Sequence, residues 1–352
     1  MPSTSNSKDI WTNSRATTAR RCLREHKLRY TDGWRLRPNE EADALHMGSA
    51  VHRGLEAWWS RACDPDWTGP DHALIENVLY VMRDPTNRAR TELEQVRSEE
   101  WMRGYHRVWA PTRASWRVVG VELEWYCDMP NPDTSGVSKT WQLGGKFDVL
   151  AVYQGPPTHW FRDGDHWVIE HKTTSESLDD NSEYWVRKLM DSQVSQYEVG
   201  ALSIGVELAG TLLDVGRKAA IRPLSKTKNI RQKKNETDDE FEERCRIEAP
   251  PETMEQFRVR LAEKYDEPGM FVRKPIPRTS NDLELWMRDA WTHSTFIRQA
   301  TRQGLAPRNP DACTQMGRCI FFDHCAYGSS LAGDARFMQD ADWPHPELRK
   351  PE

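Results

Sequence analysis

No stretch of about 18 consecutive apolar residues occurs in the chain, so nothing in it reads as a membrane-spanning helix. The opening residues MPSTSNSKDIW lack the apolar core of a secretory signal, which reads as a soluble, intracellular protein. No G-x-x-x-x-G-K-[ST] phosphate loop is present, so any ATP motor it serves belongs to another chain. Internal repeats are absent, which excludes a solenoid. Excess charge of one sign is small: the formal net charge is -5. Binding to nucleic acid therefore has to come from local patches. The seven cysteines are an odd number in a chain with no secretory signal, which argues against a disulfide framework.

What is present is a chain of 352 residues, 37% hydrophobic and 29% charged. That length suits two domains or one elaborated domain, with enough apolar residues for a core. Its sixteen tryptophans are expected to be mainly packing residues. One basic patch covers Arg15, Arg20, Arg21, Arg24, Lys27, Arg29, Arg35 and Arg37. A second runs from Arg217 to Lys234 with no acid inside it, and an acidic block from Glu236 to Glu243 follows. The second region is either a mobile charged insertion or a loop that faces DNA.

Periodicity gives the order of elements. A basic helix is expected over 12–30 and an amphipathic helix over 41–62. Helical sequence follows over 71–110, with a break at Asp84-Pro85. The period then changes to two: strands are expected in WRVVGVELEWYCDM, over 141–154 and in HWVIEHK. The Asp-Gly of RDGDHW signals the hairpin between the last two. A helix over 183–205, a strand in AGTLLDVGRK, a helix over 252–265, a strand near MFVRKP and a helix over 281–303 complete the order. The tail beyond Cys325 is expected to be loose. This is an α/β protein with a helical N-terminal elaboration. The expected regions are 1–115, a core at 116–216, the charged insertion 217–250 and a C-terminal region 251–352.

Within HWVIEHKTTSE, Glu170 and Lys172 share one strand face, about 7 Å apart. Asp148, in GGKFDVL, shares a face with Lys146 and Leu150, and the hairpin brings it toward Glu170. Two carboxylates on adjacent strands repel unless a cation lies between them. A hard divalent ion such as Mg²⁺, which takes oxygen ligands, suits that pair. Lys172 would then orient or deprotonate the attacking water, or offset charge on a phosphate. On the 41–62 helix, His52 follows Gly48 by one turn. Gly48 permits close approach, and His52 is a candidate nitrogen ligand or an orienting residue. Gln193 and Tyr197 are one turn apart on the next helix. Glu122, in VGVELEW, is a further candidate acid.

GSAVHRGLEAWW, GGKFDVL, VIEHKT and QVSQY, in that order, resemble the RecB-like branch of the PD-(D/E)xK nuclease superfamily. The resemblance implies a restriction-endonuclease-like core, a mixed central sheet flanked by helices, with a C-terminal Cys-rich segment. It implies that His52, Asp148 and Glu170 bind Mg²⁺ or Mn²⁺, that Lys172 is the catalytic lysine, and that Gln193 and Tyr197 lie at the DNA-facing edge. The Pro of the family name is absent, since Phe147 precedes Asp148. Iron–sulfur members of this branch, AddB-like and CRISPR-adaptation nucleases, place one Cys before the core and three after it. Here Cys22 precedes it, and Cys313, Cys319 and Cys325 follow as C-x5-C-x5-C, a wider spacing than is usual in those families. The resemblance thus implies a [4Fe–4S] cluster, with a four-Cys Zn²⁺ site or plain buried thiols as the alternatives. Cys63, Cys127 and Cys245 read as plain thiols. Arg21 and Arg24, beside Cys22, would contact phosphates.

The expected function is a metal-dependent deoxyribonuclease, with exonuclease action favoured. The alternative is a non-catalytic DNA-end-binding or scaffold subunit of a helicase–nuclease or recombination complex. DNA is the expected partner, with a separate helicase or recombination protein beside it and no membrane. The expected setting is the cytoplasm of a bacterium, or of a phage-infected host.

Overall fold

A computed structural model describes residues 8–37, 40, 43–62, 69–84, 91–134, 136–315 and 317–349. Cys63 lies outside the described residues. The N-terminal part runs β1 (Asp9–Trp11), α1 (Asn13–Arg21), α2 (Leu23–His26), β2 (Trp34–Leu36), α3 (Asp43–Ala62), α4 (Asp71–Met82) and α5 (Glu92–Trp109). Next come β3 (Trp116–Pro130), β4 (Val137–Tyr153), β5 (His166–Thr174), α6 (Glu183–Leu189), α7 (Ser192–Ser203) and β6 (Leu208–Arg217). The rest is α8 (Asp238–Glu248), α9 (Met254–Tyr265), β7 (Phe271–Ile276), α10 (Ser280–Arg302), α11 (Phe322–Tyr327) and β8 (Phe337–Gln339).

Six strands form one mixed sheet in the order β1-β4-β5-β6-β7, with β3 also on β4. The β3–β4 and β4–β5 pairs are antiparallel hairpins, whereas β5 and β6 are parallel and joined through α6 and α7. Strand β3 covers one edge of β4, so β1 and β5 share the other. On that edge β1 pairs with Trp141–Leu143 and β5 with Val149–Val152. Residues 144–148 between them have neither partner. That interruption of the ladder is where the cleft described below opens. The sheet draws β1 and β7 from outside the expected core 116–216, because each completes backbone pairing along β4 or β6.

Helices cover both faces. One face packs Val51, Leu55, Trp58, Trp59, Trp101 and Tyr105 against Val149, Ala151, Trp167 and Ile169. The other packs Trp11, Trp125, Tyr197 and Trp286 against Phe147, Leu150 and Val168. Most tryptophans are core residues as expected, although Trp160 is 48% exposed.

Phe147 and Val149 ought to share a face by strict alternation, yet they lie in opposite cores. On β3 the same holds for Val121 and Leu123. The two strands therefore exchange faces at Glu122 and Asp148, which stand between the pairs Val121–Val149 and Leu123–Phe147. Glu122 has φ +52°, and no other described non-glycine residue has a positive φ. Such a backbone costs on the order of 1–3 kcal/mol. Leu150 packs with Phe147, so the face expected for Lys146, Asp148 and Leu150 does not continue past Asp148.

Three further expectations are corrected. The 12–30 helix breaks at Cys22, whose backbone is extended, and resumes as α2 and a π-type turn over Lys27–Thr31. The 183–205 helix breaks at Met190–Asp191, where the Asp191 side chain accepts from the Gln193 N–H and restarts the helix. The tail is not loose: β8 pairs with β2, and His345 and Leu348 are buried. The charged insertion also carries structure. A Thr237/Glu240 capping box starts α8 on the acidic block, and Arg244 pairs with Glu236.

Candidate active site

Strand β5 is buried on both faces up to Glu170, where β4 parts from it. The Asp148 carboxylate fills the opening: its Oδ2 accepts from the His171 N–H at 2.8 Å. One Glu170 oxygen pairs with the Lys172 ammonium, and the other accepts from the Tyr197 hydroxyl at 2.5 Å. Lys172 also donates to Gln193 Oε1 at 3.0 Å, and Gln193 Nε2 donates to the Tyr197 oxygen at 2.6 Å. Glu170, Lys172, Gln193 and Tyr197 thus close a ring of hydrogen bonds between β5 and α7. His52, on α3, holds Nδ1 3.8 Å from Asp148 Oδ2.

The electrostatics follow from burial beside like charge. Burial, with Glu170 next to it, pushes the Asp148 carboxyl above the usual range. Burial pulls Lys172 down, but Glu170 and Asp148 outweigh it and hold the ammonium above its ordinary value. Burial and the Lys172 charge hold His52 below its ordinary value, so its imidazole is neutral at pH 7, the form that ligates metals. Burial and Glu170 raise the Tyr197 hydroxyl, which stays protonated and donating.

These groups line a cleft of about 220 Å³, with Lys146 and Glu347. Four sequence candidates, Asp148, Glu170, Lys172 and His52, therefore meet in one place, and Gln193 and Tyr197 support them. Glu122 does not line the cleft but pairs with Lys146, which does. Gly48 leaves ordinary space: a Cβ there would meet Thr173 Oγ1 at 3.9 Å, so it makes no close approach.

Sequence reasoning missed two contributors. Gln196 is buried and donates to the Trp11 and Gly144 carbonyls, bracing α7 across the gap in the ladder. Glu347, from the tail, accepts from Thr12 Oγ1 at 2.5 Å. Nothing in WPHPELRKPE signals that placement.

Cys22 and Cys313, Cys319 and Cys325 come from segments that are stitched together. Asn309 Nδ2 donates to the Arg21 carbonyl at 2.9 Å, and the Arg24 N–H to the Pro307 carbonyl at 3.1 Å. Burial raises the Cys325 thiol, and Cys22 and Cys313 add to that. All four are partly buried free thiols. Among the described residues no group of three or more His, Cys, Asp or Glu side chains has metal-holding geometry. The Arg21 guanidinium is bound to Glu25, and the Arg24 guanidinium to the Ala306 carbonyl. Cys245 is buried and Cys127 partly so.

A family model of the PD-(D/E)XK nuclease superfamily matches residues 10–329. The chain belongs to that superfamily. The mixed sheet flanked by helices is consistent with the core expected of it. No curated protein matches the sequence. Members of the superfamily are generally nucleases, which makes a nuclease the activity this site supports. No helix among the described residues is long and apolar enough to cross a membrane.

Proposed function

We propose that the protein is a Mg²⁺- or Mn²⁺-dependent deoxyribonuclease of the RecB-like branch, acting on strand ends. One observation carries the reading: Asp148, Glu170 and Lys172 converge in a cleft at a break in the sheet ladder. Asp148 and Glu170 offer carboxylate oxygens and His52 a neutral imidazole, the donor chemistry of a hard cation, although the three side chains as they stand do not form a ready three-ligand set. Asp148 and Glu170, with His52 beside them, would hold the cation, which would supply Lewis acidity toward the phosphodiester.

The remaining roles belong to the chain. Lys172 carries its proton, and Glu170 and Gln193 fix its direction, so its charge offsets the negative charge that develops on the phosphate. Tyr197 holds Glu170 in place from the α7 side. The cleft is smaller than the roughly 300–1,000 Å³ of a drug-sized pocket.

A cluster joining Cys22 to Cys313, Cys319 and Cys325 is part of the same proposal. Four thiolates serve a [4Fe–4S] cluster, and Zn²⁺ is the alternative. The stitching between the segments around Cys22 and Pro307 supports it. Metal analysis of purified protein distinguishes iron from zinc.

The deciding experiment is digestion of linear, circular and single-stranded DNA with Mg²⁺ or Mn²⁺. Parent protein should degrade linear but not circular DNA, and Asp148→Ala and Lys172→Ala should lose at least about a hundredfold in rate. Full activity in both variants overturns the site. DNA binding without any cleavage by the parent favours instead a non-catalytic end-binding subunit, partnered by a separate helicase.

A further inference from the structure

We infer that Lys146 is a second cationic contact of the cleft, binding a backbone phosphate that flanks the one held beside Lys172. The inference rests on the nuclease reading above and names a residue that reading leaves without a role. Three observations carry it. First, Lys146 lines the cleft together with Asp148, Glu170 and Lys172. It reaches the cleft from β4, inside residues 144–148 where the ladder is interrupted, whereas Lys172 reaches it from β5 and is tied to α7. The two ammonium groups thus enter the cleft from different strands.

Second, the partner of Lys146 is placed behind it. Glu122 pairs with the Lys146 ammonium but does not itself line the cleft. The Lys146 side chain keeps 30% of its exposure against 16% for Glu122. The ammonium keeps access to solvent on the cleft side, where a phosphate oxygen can compete for it. Lys172, in contrast, is committed to both Glu170 and Gln193.

Third, Glu122 occupies the left-handed backbone at the point where β3 and β4 exchange faces. Left-handed backbone at a non-glycine residue is costly and persists only where the surrounding structure over-determines it. From that position Glu122 meets the Lys146 ammonium.

The test is DNA binding without metal, measured by anisotropy of a fluorescein-labelled single-stranded oligonucleotide in EDTA across a salt series. Each phosphate contact on a single strand adds about 0.7 to the slope of log K against log salt. Lys146→Ala and Lys146→Met should each lower the slope magnitude by about that amount, and Lys146→Arg should restore it. In cleavage with Mg²⁺, the alanine variant should raise KM about tenfold and affect kcat less. Thermal melts check that both variants are folded, and the methionine variant keeps the aliphatic stem. A slope unchanged in both folded variants overturns the assignment while leaving the nuclease reading intact. A parent that neither binds nor cuts DNA sinks the nuclease reading itself.

Discussion

The Tyr197 hydroxyl donates to Glu170 Oε2 at 2.5 Å while accepting from Gln193 Nε2 at 2.6 Å. Tyr197 is buried against Phe147, with ring centroids 5.5 Å apart. The aromatic body therefore belongs to the core and the hydroxyl to the cleft. Removing only the hydroxyl leaves Glu170 with one fewer donor, a charge-assisted bond worth about 1.5–3 kcal/mol. Tyr197→Phe should lower kcat by roughly tenfold or more while the protein remains folded. Steady-state cleavage rates and a thermal melt measure both. A rate equal to that of the parent would show that Glu170 needs no anchor on α7.

Glu198 follows Tyr197 on α7, is buried, and leaves Oε1 without a hydrogen-bond partner. Burial pushes its carboxyl up to about 7, against a weaker opposing pull from Arg278. The folded protein thus binds a proton there that the unfolded chain has already released above about pH 4.5. The contribution of Glu198 to stability therefore falls as pH rises from about 4.5 to about 7 and then levels off. The window corresponds to an order of about 3 kcal/mol. Glu198→Gln removes the titration, so its stability advantage over the parent should grow across that window and stay constant above it. Urea unfolding at pH 5, 6, 7 and 8 gives the difference directly, and an advantage independent of pH contradicts the reading.

Most of the fold is legible in the sequence because the strands alternate and the helices are amphipathic. The period of two in β3 and β5, the Asp-Gly turn before His166 and the amphipathic α3 all correspond to observed elements. The misses have physical causes. Periodicity cannot register an extended residue such as Cys22 inside a helical pattern, nor a side-chain cap such as Asp191 that restarts a helix. Strict alternation missed the face exchange at Glu122 and Asp148, since a single left-handed residue leaves the pattern of residue types unchanged. Asp148, Glu170 and Lys172 were legible because they lie on two hairpin strands. Gln196 and Glu347 were not, because their partners are 185 and 335 residues away in sequence.

Behind the cleft lies a buried charge that sequence reading also passed over. Asp214, on β6, accepts from the Tyr105 hydroxyl at 2.6 Å and pairs with Arg273 at 3.0 Å, and His171 Nδ1 stands 3.4 Å away. Burial alone would raise this carboxyl, but Arg273 and His171 outweigh burial and hold it at about 2. The Arg273 guanidinium also stacks on Trp109, 4.0 Å from the ring centre. His171 is the residue whose N–H orients Asp148, so this network underlies the cleft from the opposite face of β5. Asp214→Ala strands a buried guanidinium and should cost about 3–5 kcal/mol. Replacing both partners with apolar residues, Asp214→Leu with Arg273→Met, should recover most of that stability. The double variant should nevertheless cut DNA more slowly than the parent, because His171 loses the acid beside its ring. Denaturant unfolding of the parent, the single variant and the double variant, set beside their cleavage rates, separates the two effects. If the double variant is as unstable as Asp214→Ala, the damage comes from lost packing around Tyr105 and not from the uncompensated charge.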